Sequence, residues 1–497
     1  MTKFSPKLST AAAQAIYGNH ELFIDGEPVA SASQERIDIH DPATGQVLAQ
    51  SAAGGSVDVN KAVHAARKAL EEGAWPAMSG LQRGRLITKL AERIEELGEE
   101  LAEIEAIDCG KPVTYAQYVD VGLTANIYHY FAGWASKVTG ESVEPCTPGD
   151  FHAYTRREPV GVVAAIAPWN FPLILTAYKL APALAAGCTV IVKPSELTPL
   201  STLRFAEIAA EVGFPPGVIN VVTGHGADAG QALVEHPGVD KVAFTGSVET
   251  GKKIAQAATG TLKRVTLELG GKSPIIVMPD ADLEKVIPGV AGAIFFHQGQ
   301  VCTAGTRLFV HDKIRDKVLE GVAEASKSFK IGHGLDPETT MGPMISAAQR
   351  ERVMGYLEQG QADGAETVAG GRVIDGEGYF MEPTVLANTN PNMSVVREEI
   401  FGPVLACQSF SDDDINAVAA QANNSVFGLA ASIWTRDLSA AHKLAKKVKA
   451  GSVWINQHNF FDPALPFGGF KQSGYGREEG SEAMRTFTEV KSVAIAL

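Results

Sequence analysis

Between residues 161 and 270, short apolar runs alternate with segments of helical periodicity. Apolar runs without polar alternation predict strands that are buried on both faces. The predicted strands are GVVAAIAP (161–168), CTVIVKP (188–194), GVINVVTG (217–224), KVAFTG (241–246) and RVTLEL (264–269), with helices that include 201–213 and 248–258. This alternation predicts an α/β unit with a parallel sheet covered on both faces. Such sheets bind ligands beyond the carboxyl ends of their strands.

The flanking regions predict further elements. Residues 22–29 predict a hairpin, 59–73 a helix, and 82–110 a long amphipathic helical region broken near Gly98. A second sheet is predicted from apolar runs at 273–278, 306–312, 404–410, 430–435 and 452–456. Residues 152–161 and 489–497 are strand-like. Because no neighbouring segment would cover the apolar residues of the last strand, we expect it to pair elsewhere, with a neighbouring subunit as one candidate.

Composition narrows the class of protein. A chain of 497 residues suggests roughly two to four domains. The net charge of −14 argues against nucleic acid and membrane surfaces as main partners. Five cysteines lie far apart with no CxxC pair, which indicates neither a metal site nor a disulfide framework. Without a signal peptide or membrane span in its sequence, the protein is expected to be soluble and cytoplasmic.

Three short segments could form a nucleotide site. TGHGADAG (223–230), which contains Gly226, is only a weak match to a dinucleotide fingerprint. FTGSVETG (244–251) lacks the Walker lysine, but Ser247 can cap a helix whose free N–H groups suit a phosphate. In VKPSE, Glu196 follows Lys193; its carboxylate could accept ribose hydroxyls and repel a 2′-phosphate, favouring NAD over NADP. An ordinary strand–helix turn and a surface ion pair remain the alternatives.

Three residues suggest chemistry. Cys302, in FFHQGQVCTAGTR (295–307), could be a nucleophile or simply a small core residue. Glu268 lies between two leucines at the end of an apolar strand, where desolvation would raise its pKa toward that of a general base. Asn170 follows another strand between two prolines, and its amide N–H could stabilise an oxyanion. The alternatives are a loop-bracing asparagine and a glutamate paired with a lysine.

Seven motifs together carry a resemblance. APWNFP (167–172), VKPSE, FTGSVETG, LELGGKSP (267–274), GQVCTAGTR, EEIFGPV (398–404) and PFGGFKQSGYGRE (466–478) resemble, in order, the signatures of the aldehyde dehydrogenase superfamily. The resemblance implies an α/β fold with a Rossmann-like NAD domain (1–142 and 161–270), a catalytic domain (271–475) and a small β oligomerisation element (143–160 and 480–497). It also implies a homo-oligomer, either a dimer or a tetramer.

The resemblance assigns roles by position. It implies that Cys302 is the nucleophile, Glu268 the general base and Asn170 an oxyanion donor, beside the N–H of Cys302. NAD is the implied cofactor, with NADP as a less favoured alternative. The residues expected along the cofactor are Ile166, Trp169, Lys193, Glu196, Gly226, Phe244, Gly246, Ser247, Leu269, Glu399 and Phe401. Relatives that transfer the acyl group to coenzyme A lack the glutamate, so hydrolysis to the acid is expected.

The substrate is expected to be a small aldehyde. By resemblance, the substrate tunnel is lined by Phe171, Tyr178, Phe296, Val301, Thr303 and Phe460. These aromatic residues favour a flat apolar substrate, and the loop 456–469 is similar to that of phenylacetaldehyde dehydrogenases. Betaine or general aliphatic aldehydes are the alternative. An inactive structural or NAD-binding protein on the same scaffold is the alternative of a different class.

Overall fold

The computed structural model describes residues 7–411 and 414–497. The strands are β1 (Asn19–His20), β2 (Leu22–Ile24), β3 (Glu27–Val29), β4 (Arg36–His40), β5 (Val47–Ala52), β6 (Ser142–Val143), β7 (Phe151–Pro159), β8 (Val162–Ile166), β9 (Thr189–Lys193), β10 (Ile219–Val221), β11 (Lys241–Gly246), β12 (Arg264–Leu269), β13 (Pro274–Val277), β14 (Arg307–His311), β15 (Glu366–Ala369), β16 (Thr384–Ala387), β17 (Val404–Phe410), β18 (Ala430–Trp434), β19 (Ser452–Ile455), β20 (Gly474–Tyr475) and β21 (Thr488–Ala496).

The helices lie mainly between these strands. They are α1 (Thr10–Ile16), α2 (Ser56–Glu71), α3 (Ala74–Ala77), α4 (Gly80–Glu96), α5 (Gly98–Cys109), α6 (Val113–Tyr115), α7 (Gly122–Trp134), α8 (Pro172–Ala186), α9 (Leu200–Glu211), α10 (Gln231–Glu235), α11 (Val248–Ala258), α12 (Leu283–Phe295), α13 (Arg315–Lys327), α14 (Ala347–Ala362), α15 (Ser394–Arg397), α16 (Ile415–Asn423), α17 (Leu438–Lys447) and α18 (Gly480–Thr486). Short π turns (Ala116–Val121, Gly226–Gly230) and 3₁₀ turns (Phe296–Gly299, Asp312–Ile314, Lys471–Ser473) complete the pattern. None of the described helices is long and apolar enough to cross a membrane.

The first large sheet contains the predicted parallel strands. Its order is β20-β12-β11-β8-β9-β10-β2-β3, and β12 through β10 are parallel. β8 and β9 are buried at every position, which explains their unbroken apolar sequence. The predicted hairpin is β2–β3, and the predicted break in the long helical region falls between α4 and α5. The strand predictions for this region are confirmed.

The second large sheet has the order β15-β16-β17-β14-β13-β18-β19. Its strands are parallel except for β15, and all five strands predicted from the second half of the chain belong to it. β12 and β13 are consecutive strands that belong to different sheets, so residues 270–273 join the two sheets directly. Strand β20 comes back from the second half to pair with β12, with Gly474 opposite Glu268.

The C-terminal strand corrects one expectation. β21 pairs antiparallel with β7 of the same chain along its whole length, from Thr488 opposite Pro159 to Ala496 opposite Phe151. Together with β6 it forms a three-stranded sheet, β21-β7-β6. A partner in another subunit is therefore not needed for this pairing. Because β7 lies far away in sequence, no local pattern could have indicated it.

Helix α8 lies against the first sheet and is buried along its entire length. It carries Tyr178 and Lys179 into the interior, where a lysine ammonium group needs a partner. Lys179 Nζ lies 2.7 Å from the carboxylate of Glu478 and donates to Thr245 Oγ1 at 2.6 Å. This contact ties the helix to β11 and to the segment after β20.

Candidate active site

The strand ends of the first sheet bring together residues from four separate motifs. Lys193 is the last residue of β9, in register with Ile166 of β8, which is in turn in register with Phe244 of β11. Gly246 and Leu269 are paired at the ends of β11 and β12, one residue beyond Glu268. Because these strands are parallel, their carboxyl ends meet at one edge of the sheet. The predicted site is therefore assembled at this edge.

The turn that carries Cys302 follows α12. Helix α12 ends at Phe295, and the next turn has left-handed backbone at His297 and Gln298 (φ 47° and 57°). Gly299 has φ +69°, and a Cβ there would lie 2.2 Å from the carbonyl oxygen of Gly402. Only glycine permits this approach, which packs the turn against the segment of the EEIFGPV motif. Cys302 lies three residues further on and is half-buried.

A cavity of about 260 Å³ lies between the two sheets. Its lining includes Cys302 and Asn170, together with six of the residues expected along the cofactor: Trp169, Gly246, Ser247, Leu269, Glu399 and Phe401. It also includes six that sequence analysis did not name: Pro168, Leu175, Thr245, Gly270, Gln349 and Arg352. Of these six, Pro168, Thr245 and Gly270 lie within the quoted motifs.

Gln349 and Arg352 lie on α14 and are distant in sequence from all of the quoted motifs. Gln349 Nε2 donates to the carbonyl oxygen of Phe401 at 2.9 Å, and Arg352 donates to that of Glu399 at 3.0 Å. They brace the backbone of residues 399–401. Nothing in the sequence near Gln349 and Arg352 indicates that they contact residues 399–401. The contact arises only because α14 packs against that segment in the folded protein.

Asn170 lies within reach of the Cys302 turn. Its side-chain Nδ2 donates to the carbonyl oxygen of Gln300 at 2.9 Å. Gln300 is itself held by its side chain, whose oxygen accepts from the N–H of Ile345 at 2.9 Å. A primary amide has two N–H donors, so the bond to Gln300 leaves one N–H of Asn170 for a ligand in the cavity.

The Cys302 thiol lies in an unfavourable place for a thiolate. Burial raises the pKa of this thiol to about 12, and the carboxylates of Glu399 and Glu268 add to the increase. The backbone N–H groups of Thr303 and Cys302 act in the opposite direction. In the free protein the thiol is therefore protonated at neutral pH, so a base and added positive charge are needed to activate it.

The Glu268 side chain is 3% exposed. Neither of its carboxylate oxygens has a hydrogen-bond partner among the described residues. Burial raises the pKa of Glu268 well above its usual value, as the sequence predicts, and the nearby Glu478 carboxylate adds to the increase. Lys179 and Arg477 oppose it. A buried, unpartnered carboxyl with a raised pKa is typical of a general acid or base.

Lys193 and Glu196 form an ion pair at the next strand end. Lys193 Nζ lies 3.0 Å from Glu196 Oε2 and donates to the carbonyl oxygen of Pro194. Burial acts to raise the pKa of Glu196, but Lys193 outweighs it and the pKa lies below its ordinary value. The turn that begins at Gly226 lies beside this pair, since a Cβ at Gly230 would be 3.8 Å from Lys193 Cδ.

Two glycines in the cavity allow close packing. A Cβ at Gly246 would lie 2.5 Å from the ring of Phe244, and one at Gly270 would lie 2.0 Å from Glu399 Oε2. Glu399 Oε1 accepts from the N–H of Gly271 at 2.9 Å, and burial raises the pKa of Glu399 to about 7. Ser247 caps α11 by accepting from the N–H of Thr250, as predicted.

The residues expected along the substrate tunnel are placed in different environments. Phe171 stacks on Phe296 with ring centroids 6.2 Å apart, and Tyr178 packs against Phe467 at 6.0 Å. Val301 and Thr303 are buried beside Cys302. Phe460 is 48% exposed, and its carbonyl oxygen accepts from Trp454 Nε1.

A second cavity, a groove of about 850 Å³, is lined in part by Phe296, at the start of the turn before Cys302, and by residues 456–459. Its aromatic lining residues are Tyr115, Phe296, Phe329, Trp434 and Phe461. Of the six residues expected along the tunnel, Phe296 lines this groove. Phe461, which sequence analysis did not name, lies there in place of its neighbour Phe460.

The sequence profile of the aldehyde dehydrogenase family matches residues 29–493. The chain belongs to the aldehyde dehydrogenase family. It is 47% identical over 483 residues to a phenylacetaldehyde dehydrogenase from Pseudomonas fluorescens, covering 96% of both chains. It is 44% identical over 476 residues to a betaine aldehyde dehydrogenase from Bacillus subtilis, covering 95% of this chain and 96% of that one.

Solved structures agree with this assignment. The NAD⁺ complex of an aldehyde dehydrogenase from Bacillus cereus superposes with a TM-score of 0.97 at 45% identity, covering 99% of this chain and 100% of that one. The family and the α/β fold expected from the motifs are confirmed, and the chain is an oxidoreductase. A phenylacetaldehyde enzyme and a betaine aldehyde enzyme match at nearly the same identity, so similarity alone does not select the aldehyde.

Proposed function

We propose that this aldehyde dehydrogenase uses NAD to oxidise arylacetaldehydes, such as phenylacetaldehyde, to the carboxylic acid through a covalent adduct on Cys302. One observation carries the proposal: Cys302 lines a cavity at the strand ends, and the next residue, Thr303, contacts His458 and Asn459, which line an aromatic groove. The first suits a nucleotide and the second suits an apolar aldehyde. The aldehyde is proposed to reach the thiol from the groove while the nucleotide occupies the cavity.

The cavity fits a dinucleotide in three respects. Glycines at 246 and 270 allow Phe244 and Glu399, two of the residues expected along the cofactor, to pack against the backbone. The N-terminus of α11 offers N–H groups to a phosphate, and Glu196, which follows the neighbouring strand end, offers a carboxylate to ribose hydroxyls. The eleven residues named from the sequence are proposed to hold it, with Glu399 and Phe401 at the nicotinamide ribose. When bound, NAD supplies the hydride acceptor and a cationic ring beside the thiol.

The protein's residues account for the first half of the reaction. Cys302 loses its proton to Glu268, and its sulfur forms a bond to the aldehyde carbon while the carbonyl π electrons move to oxygen. The oxyanion accepts from the free N–H of Asn170 and from the N–H of Cys302, and each such donor is typically worth about 3 kcal/mol. Loss of hydride from this thiohemiacetal leaves a thioester on Cys302.

Hydrolysis completes the cycle. Glu268 first releases to solvent the proton that it took from Cys302, and then takes a proton from water as the water oxygen bonds to the thioester carbon. The C–S bond breaks with its electron pair going to sulfur, which releases the carboxylic acid and returns Cys302. A carboxylate that is buried without a partner is a stronger base than one in water, and the raised pKa of Glu268 meets this requirement.

The groove supports an aromatic substrate. Rings line it from several sides, and Phe296 packs with Tyr115 (centroids 5.2 Å apart) as well as with Phe171. Its charged lining residues, Glu284 and Lys285, are adjacent and opposite in sign, so the groove offers no excess charge to an ionic aldehyde. A substrate that is itself charged would lose hydration without gaining a counter-ion.

We expect phenylacetaldehyde to have the highest kcat/KM in a panel with benzaldehyde, hexanal, betaine aldehyde and succinic semialdehyde. Its advantage over the two charged aldehydes should be at least about 10-fold, because the groove buries a ring but does not compensate a charge. Steady-state NADH production measures it. Phe296→Leu should lower the preference for phenylacetaldehyde over hexanal. A charged aldehyde as the best substrate would contradict the proposal.

Glu196→Gln is expected to raise kcat/KM for NADP by about 10-fold and to change that for NAD much less. The substitution removes the negative charge that would repel a 2′-phosphate, while an amide still accepts hydrogen bonds from the ribose. Glu207→Gln, which removes an exposed carboxylate from α9, is the matched control. If the NADP to NAD ratio is unchanged in Glu196→Gln, the carboxylate does not select the cofactor.

We also propose a homo-oligomer, dimeric or tetrameric. Strand β21 pairs with β7 on one side, and no described strand pairs with its other side. Val490 and Ile495 on this strand and Leu497 just after it are exposed apolar residues. An exposed strand edge with apolar residues is a surface that favours association.

A further inference from the structure

Two consecutive residues of the segment 456–461 contact Thr303, the residue after the nucleophile. His458 Nε2 lies 2.9 Å from the carbonyl oxygen of Thr303. The hydroxyl of Thr303 donates to Asn459 Oδ1 at 2.8 Å. Thr303 is fully buried, so these two contacts satisfy polar groups that water cannot reach. They attach the wall of the aromatic groove to the nucleophile turn.

The hydrogen bonds around His458 have only one consistent direction. The carbonyl oxygen of Thr303 can only accept, so Nε2 of His458 carries the proton. Burial lowers the pKa of His458 to about 4, so the ring is neutral and Nδ1 is a bare acceptor. Nδ1 lies 2.9 Å from Ser432 Oγ, which therefore donates to it.

The same chain of donors continues to Trp434. Its indole Nε1 can only donate, and it donates to Ser432 Oγ at 3.3 Å. The order is thus Trp434 to Ser432 to His458 to Thr303, with a donor and an acceptor at every step. Ser432 and Trp434 belong to β18, a strand of the second sheet, and both are buried. A rigid sheet therefore fixes both the tautomer and the orientation of the imidazole.

We propose that His458 is a positioning residue of the reaction, which holds Thr303 so that its backbone N–H faces the sulfur of Cys302. The inference rests on the proposed role of Cys302 as the nucleophile. The N–H of Thr303 favours the thiolate, against the burial that disfavours it. With its carbonyl and its hydroxyl both held, Thr303 presents this N–H in one orientation.

The segment 456–461 then has two functions. Its residues His458, Asn459 and Phe461 line the groove, and His458 and Asn459 also hold the turn that carries Cys302, through Thr303. Loss of the His458 contact should therefore act on the chemical step and leave the binding of the aldehyde almost unchanged. A change in kcat with constant KM distinguishes this from a wall residue.

The test compares His458→Phe, His458→Gln and Ser432→Ala in a Cys146→Ala background, which removes the exposed cysteine. The measurements are kcat and KM for phenylacetaldehyde, and the rate of iodoacetamide alkylation of Cys302 against pH. His458→Phe should lower kcat roughly 10-fold, with KM within about 3-fold, and should lower the rate of alkylation about 10-fold at each pH tested. His458→Gln, which keeps an N–H donor, should recover part of both effects. Ser432→Ala should fall between them.

His442→Gln, an exposed histidine on α17, is the control and should behave as the parent protein. If His458→Phe fails to fold, the order of His458→Gln and Ser432→Ala decides. Unchanged kcat and alkylation in folded His458 variants would overturn the proposal. A decrease in kcat that is proportional to the decrease in melting temperature across the variants would also overturn it, because it would indicate a loss of stability alone. If the parent oxidises no aldehyde, the proposed function fails, whereas the alkylation profiles still test the contact with Thr303.

Discussion

Cys302→Ala should reduce aldehyde oxidation by roughly 10⁴-fold or more, because removal of a nucleophile eliminates the covalent route. NAD binding, measured by calorimetry, should be nearly unchanged, since the cavity is lined mainly by other residues. Cys302→Ser tests whether the thiol itself, rather than the shape of the side chain, is required for oxidation. It retains the shape of the site, but a hydroxyl is a far weaker nucleophile than a thiol at this pH.

The control is Cys146→Ala, which removes the exposed cysteine and should keep full activity. Iodoacetamide should inactivate the parent and Cys146→Ala equally. NAD present during alkylation should accelerate the reaction, because a cationic ring beside the sulfur opposes the burial that holds the thiol pKa near 12. Substantial oxidation by Cys302→Ala would refute the covalent mechanism.

Glu268→Gln should impair both halves of the reaction, the hydrolysis of the thioester most strongly. The amide cannot accept a proton from water, so turnover should fall by roughly 10²- to 10⁴-fold at the hydrolysis of the thioester. If another group can deprotonate the thiol, rapid mixing should show a burst of NADH close to one equivalent per Cys302. Mass spectrometry should then find an acyl group on that residue.

Two further results would complete this test. Glu324→Gln removes an exposed, ion-paired carboxylate on α13 and should show ordinary turnover without a burst. In the parent, turnover should fall as the pH decreases through the raised pKa of Glu268, because only the carboxylate form accepts a proton. Glu268→Gln should lose this acid limb. Parent-like steady-state turnover in Glu268→Gln would show that another group activates the water.

The negative charges in the cavity explain why the proposed activation of Cys302 depends on Glu268. The acids Cys302 and Glu399, both half-buried, and the buried Glu268 lie in one region, and the two carboxylates raise the pKa of the thiol. Two negative charges in such a place repel strongly in a low dielectric. When the proton moves from Cys302 to Glu268, the pair still carries one negative charge, now on sulfur. This costs less free energy than ionising the thiol while Glu268 remains a carboxylate.

Much of the site could be predicted from the sequence because of the parallel sheet. Buried strands are visible as unbroken apolar runs, and parallel strands place all their carboxyl ends at one edge. Glu268 and Gly246 come from separate motifs at the ends of two predicted strands, and the structure places those strands, β12 and β11, side by side. The family followed from the order of seven motifs, and the profile match confirms it.

Contacts between segments distant in sequence were decided only by the tertiary structure. The pairing of β21 with β7, the ion pair of Lys179 with Glu478, and the contact of His458 with Thr303 each join such segments. Hydrophobic periodicity and capping act over a few residues, so they determine which elements form and where they end. Which of those elements meet depends on how their buried faces pack in three dimensions, and that packing converts single residues of ambiguous meaning into a site.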